Sequence, residues 1–127
     1  MKKKILFEEL INNGFNKDEH NNFSKTFENI LVYVRPYSNL FGSVTMLGIF
    51  YKYKSILEEK YHDEVWKKCV DLIDQDQQLK IGSLGFDYME ADILDKKFLD
   101  RIDINLIEYY CNYFAKQIKP IIKRYNI

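Results

Sequence analysis

The chain has 127 residues and nineteen basic against nineteen acidic side chains, so its formal charge is zero. That length makes one domain with a single core; 46% hydrophobic residues argue against disorder. The balanced charge leaves no global field to collect nucleic acid or a membrane surface.

Met1-Lys2-Lys3-Lys4 followed by Ile5-Leu6-Phe7 has the charged onset of a secretory leader, but Glu8 and Glu9 end the apolar run at once. No stretch approaches the roughly 18 apolar residues of a membrane span. The expectation is a cytoplasmic protein with no membrane partner. Residues 3–13 read as a short amphipathic helix with Leu6, Phe7, Leu10 and Ile11 on one stripe. Gly14 stands where a left-handed residue closes a helix, and Phe15 where a Schellman ending places its apolar contact.

Residues 16–22 are polar and read as a loop. Over 22–27, Phe23, Lys25 and Phe27 alternate with Ser24 and Thr26, and Glu28-Asn29 can turn the chain into a hairpin. Ile30, Val32 and Val34 then share one face, opposed by Leu31, Tyr33 and Arg35. After turn residues Pro36, Ser38, Asn39 and Gly42, a second run puts Leu47, Ile49, Tyr51 and Tyr53 on one face and Val44, Met46, Gly48 and Phe50 on the other. Period two with both faces apolar predicts a strand covered on both sides.

Ser55 with Glu58 forms a capping-box pattern. Ile56, Leu57, Tyr61, Trp66, Cys69, Val70 and Ile73 continue at helical spacing, which predicts a middle helix. Leu79-Lys80-Ile81 suits a short strand, and Leu84, Phe86 and Tyr88 alternate after it. Asp103 is placed to cap a last helix whose stripe runs Ile107, Tyr110, Cys111, Phe114, Ile118, Ile121 and Tyr125, with a kink or an end expected at Pro120. The sum is an α+β domain: a small, mostly antiparallel sheet with an N-terminal, a middle and a long C-terminal helix packed on it. The alternative is a predominantly helical chain.

No enzyme signature is present: the five glycines are scattered, and GxSxG, HExxH and paired CxxC are all missing. Ser55, His62 and Asp63 make a triad only by selection. Cys69 and His62 stand two helical turns apart, roughly 10 Å. The two cysteines suit buried thiols in a reducing compartment. Neither Lys2–Lys4 nor Lys116, Lys119, Lys123 and Arg124 comes with a nucleic-acid motif. No catalytic residue, cofactor, metal or nucleic-acid partner is expected.

Charge is nevertheless segregated. Between Asp71 and Asp95 seven acids face one base, Lys80, a net of −6. Asp74, Asp76, Asp87, Glu90, Asp92 and Asp95 are interleaved with Phe86 and Tyr88. Three readings fit: a solvated acidic face, a divalent-cation site, and a surface that steers in a basic partner and buries an aromatic anchor. Asp74-Gln75-Asp76 lacks the glycine and glutamate pattern of a calcium loop.

With this acidic-aromatic segment, its size, its single α+β domain, its Ile-, Lys-, Asn- and Tyr-rich usage and no catalytic motif, the chain resembles small bacterial immunity proteins, including those of contact-dependent growth inhibition. The resemblance implies a cytoplasmic protein that binds and neutralises a cognate toxin, here a nuclease-type domain held by Asp74, Asp76, Phe86, Asp87, Tyr88, Glu90, Asp92 and Asp95. Gly14-Phe15, the polar hairpin and Leu47-Gly48-Ile49-Phe50-Tyr51 are also similar to a group of uncharacterised bacterial domains, a likeness that implies fold alone. The competing class is a small enzyme or ligand-binding domain with a pocket between helices and sheet, lined by tyrosines such as Tyr33 and Tyr51.

Overall fold

The two alternating runs in the first half of the chain form the longest strands of one antiparallel sheet. The computed structural model describes residues 2–52, 79–81, 88–93, 100–101 and 103–125, and for 79–81 and 88–93 their backbone. Helix α1 (Lys3–Asn12) leads into strands β1 (Asn16–Lys17), β2 (Phe23–Phe27), β3 (Ile30–Ser38) and β4 (Val44–Lys52). Strands β5 (Leu79–Ile81) and β6 (Tyr88–Ile93) and helix α2 (Ile104–Tyr125) follow. The strand order is β1-β2-β3-β4-β6-β5, and every pairing is antiparallel. The architecture is α+β. The middle helix expected over 55–73 lies outside the described residues.

Helix α1 ends as its sequence predicts. The Phe15 amide donates to the Leu10 carbonyl at 3.0 Å and the Gly14 amide to that of Ile11 at 3.2 Å. These are the two bonds of a Schellman ending, and Gly14 supplies the left-handed residue at φ 87°. A Cβ there would meet nothing closer than 3.9 Å from the Lys25 side chain, so the cost of adding one lies in the backbone. Gly14→Ala is therefore expected to lower stability by about 1–2 kcal/mol in urea denaturation, and Gly14→Asn by less. Equal stability of the alanine variant would mean that the turn is not left-handed in solution.

The other end of α1 is tied down. Lys2 pairs with Ser43 in an isolated bridge, the Lys3 amide donates to the Gly42 carbonyl at 2.8 Å, and Lys2 Nζ donates to the Phe41 carbonyl. Lys2 is thus held against the β3–β4 turn, although a lysine run at a terminus reads as frayed. Leu6 and Leu10 are fully buried and Phe7 packs against the core, whereas Ile11 is half exposed and lies off the stripe expected of it.

The polar stretch 16–22, which reads as loop, is not loop throughout: Asn16 and Lys17 pair with Ser24 and Phe23. The hairpin predicted at Glu28-Asn29 is present, with Phe27 opposite Ile30. Both turn residues are left-handed, at φ 52° and 63°, which matches the right-handed twist of the flanking strands. Glu28 also approaches Lys116 and Lys119 of α2 at 3.8 and 3.9 Å, exposed pairs worth well under about 1 kcal/mol each.

One face of the sheet, that of Phe23, Ile30, Val32, Val34, Leu47 and Ile49, joins Leu6 and Leu10 of α1 and Ile107, Tyr110, Cys111, Phe114, Ala115 and Ile118 of α2 in a single core. Val44 belongs to this core too, not with Met46 and Phe50 as strict alternation places it. Between Tyr37–Met46 and Ser38–Val44 the register slips, with two residues on β4 against one on β3. This bulge turns Val44 to the helix side and leaves Thr45 exposed.

Lys25 stands on the same apolar face. Its stem runs beside Phe15 and Phe27, with Nζ 5.4 and 5.8 Å from the ring centroids, and the ammonium donates to the Asn13 carbonyl and to Glu108 of α2 at 2.9 and 3.0 Å. A cation is tolerated there because its head lies beside two rings and finds two acceptors.

Asp103 caps α2, its carboxylate accepting from the Leu106 amide. The helix does not end at Pro120 but continues to Tyr125. Pro120 and Lys116 are both on the exposed side, so water can serve the Lys116 carbonyl that lacks a helical donor. The side chains of Ile121 and Tyr125, expected on the buried stripe, lie outside the described ones, as does Cys69; Cys111 is buried and free of a disulfide, and burial pushes its thiol pKa far up.

Candidate functional site

Alternation along β6 sets Tyr88, Glu90 and Asp92 on one face of the sheet and Met89, Ala91 and Ile93 on the other. In the register, Tyr88 stands opposite Lys52, Glu90 opposite Phe50 and Asp92 opposite Gly48. Across the other edge of β6, Lys80 stands opposite Asp92. Directly opposed residues share a face, so these positions belong to the face turned away from α1 and α2. The remaining expected contact residues, Asp74, Asp76, Phe86, Asp87 and Asp95, lie outside the described residues.

Counting along the chain therefore misjudges the local charge. Arg35 and Lys52 come from β3 and β4, and Lys80 from β5, onto the face that holds Glu90 and Asp92. β6 is also an interior strand, bracketed by β4 and β5. The face is one of mixed charge, with opposite signs at adjacent register positions, an arrangement that stabilises a sheet.

Beside β6 the same face is built from rings and cations. The Tyr33 and Phe50 rings stack with centroids 5.1 Å apart and 19° between planes. The Arg35 guanidinium lies 4.7 Å from the Phe50 centroid, and Lys52 Nζ lies 4.6 Å from that of Tyr33. Phe50 is 1% exposed yet stands on the face opposite the helices, so both sides of β4 are covered, as its composition predicts.

Arg35 is held in turn by Asn22, whose side-chain oxygen accepts from Nε at 2.8 Å. Asn22 is the one buried polar residue among those described. Its amide and side-chain nitrogen donate to the Asp18 carboxylate at 2.9 and 3.1 Å, and the His20 amide donates to it at 2.8 Å. Desolvation alone would raise the Asp18 pKa; these donors and the charge of Lys52 outweigh it and hold the carboxyl below its ordinary value.

The tyrosine-lined pocket is not formed by the two residues expected to line it. Tyr33 faces away from the helices beside Phe50, and Tyr51, the next residue along β4, faces the core. Burial there raises the Tyr51 pKa. Among the described residues no three His, Cys, Asp or Glu side chains gather as a cation site, and no helix is long and apolar enough to cross a membrane.

One feature escapes the sequence reading. Leu40 and Phe41, at the tip of the β3–β4 hairpin, are 102% and 82% exposed. Turn chemistry marks this stretch as a loop, and two large apolar residues inside a loop were the available signal. No family model matches the chain, nor does any curated protein or solved structure.

Proposed function

We propose that the chain is a binding protein of the immunity type, which occupies a basic or nucleic-acid-binding site on a cognate toxin domain. The observation behind this reading is the placement of Tyr88, Glu90 and Asp92 on a single face of β6. In this mechanism the carboxylates take positions that substrate phosphates would hold, and an aromatic supplies the buried anchor. Lys52, Arg35 and Lys80 near the acids reduce long-range steering, so short-range contact carries the specificity.

The test is binding of the Asp87→Lys/Glu90→Lys/Asp92→Lys triple variant to a toxin domain captured from the native host. Affinity is expected to fall on the order of 100-fold or more, and wild-type binding to weaken as salt rises. Circular dichroism checks that β6 still pairs. Unchanged capture by a folded triple variant would remove this face from the interface.

A further inference from the structure

Independently of the toxin-binding reading, we propose that the β3–β4 tip is an adsorption site for anionic lipid surfaces. Leu40 and Phe41 would enter the headgroup region while Lys2, Lys3 and Lys4 meet lipid phosphates. The tip is a built structure. The Asn39 side-chain oxygen accepts from the amides of Phe41 and Ser43 at 2.9 and 3.1 Å, and the Gly42 amide donates to the Asn39 carbonyl at 3.1 Å. Gly42 turns the chain at φ 78°. A fixed loop that leaves a leucine and a phenylalanine in water holds them out at constant cost, where polar residues would turn equally well.

Lys2 and Lys3 are placed beside this tip by backbone geometry, and Lys4 follows them in the first turn of α1. The Lys2–Ser43 bridge and the Lys3 amide bond to Gly42 fasten the start of α1 to the turn, and Lys2 Nζ reaches the Phe41 carbonyl. Lys2 and Lys4 are exposed. The first acid of the chain is Glu8, and none stands between Glu28 and Glu58, so the hairpin and the first turn of α1 carry only positive charge.

An apolar pair together with a basic cluster is the two-signal arrangement that reversible membrane adsorption needs. A protein partner is the weaker fit. Two side chains on a convex tip offer on the order of 300–400 Å² of apolar surface, against roughly 800 Å² a side for a stable protein interface. A bilayer needs no shape complementarity.

The test is sedimentation of the full chain with vesicles of phosphatidylcholine alone and with about a third phosphatidylglycerol. Binding is expected to the anionic vesicles and to weaken with salt. Leu40→Ser/Phe41→Ser should lower the partition coefficient on the order of 30- to 100-fold with an unchanged melting temperature, because neither side chain is buried. Lys2→Gln/Lys3→Gln/Lys4→Gln should abolish the preference for anionic lipid, and the fluorescence of a Phe41→Trp variant should be quenched by brominated acyl chains. Failure of the wild-type chain to sediment with anionic vesicles would overturn the proposal, as would equal binding by the Leu40→Ser/Phe41→Ser variant. Capture of a soluble acidic protein that needs Leu40 and Phe41, without vesicle binding, would reassign the tip to a protein pocket.

Discussion

Phe114→Ala is expected to remove about 3–5 kcal/mol of stability, a large share of the roughly 5–15 kcal/mol that a domain commonly has. Phe114 is 1% exposed and sits midway along α2, between Cys111 and Ile118 on the buried stripe. The α2 residues of the core join strand residues of β2, β3 and β4 and the buried leucines of α1. Truncation therefore leaves a cavity bounded by several elements that cannot collapse together. Urea denaturation should show a lower midpoint with an unchanged m-value, because the surface exposed on unfolding barely changes. Tyr109 is the control on the same helix. It is 56% exposed, and its ring lies against those of Tyr110 and Tyr113, so its alanine variant should cost below about 1 kcal/mol. Similar losses at the two positions would mean that α2 does not dock through the stripe described.

Why some of this was readable and some not follows from the range of the forces involved. The ending of α1 depends on Gly14 and Phe15 against Leu10 and Ile11, all within six residues, so a local signal suffices. The strands were legible because burial on both faces of β4 imposes its own composition. The hairpin at Glu28-Asn29 formed although Glu28 is a poor left-handed residue. Pairing of Phe23, Lys25 and Phe27 with Val34, Val32 and Ile30 overrides that local preference. The bulge that moves Val44 into the core leaves no mark in a hydrophobic pattern, since it shifts the phase without changing the residues.

The candidate site was less legible because its charges are brought together by topology. A window over 71–95 sees seven acids and Lys80. It cannot see that β6 lies between β4 and β5, so that Lys52 and Arg35 reach the same face from well upstream in the chain. The β3–β4 register also separates Tyr33 from Tyr51: Tyr33 stands opposite Phe50, so alternation puts Tyr51 on the other side of the sheet. The Leu40-Phe41 tip was missed for a third reason: periodicity describes elements that bury a face, and a turn buries none.

Substituting Asn22 by alanine is expected to cost about 2 kcal/mol, because it strips a buried hydrogen-bond partner from both Arg35 and Asp18. Arg35 and Asp18 are half-buried and water can reach them in part, which keeps the loss below that of a sealed ion pair. Asp18 also makes part of this stability pH-dependent. Its folded pKa lies below the ordinary value of 3.8, so the folded state binds that proton less readily than the unfolded chain. The Asp18 contribution is then complete above that value and fades as pH falls through the lowered folded pKa. A comparison of wild type with Asp18→Asn should show a gap in stability at neutral pH that closes in acid. In Asn22→Ala the gap should be smaller at neutral pH, since one of the carboxylate's donors is gone. Arg35 should in addition loosen over the Phe50 ring, visible as altered ring-proton shifts of Phe50 and Tyr33. An unchanged gap in the Asn22→Ala background would mean that the 18–22 loop is held by its backbone alone, and that Asn22 does not brace the candidate face.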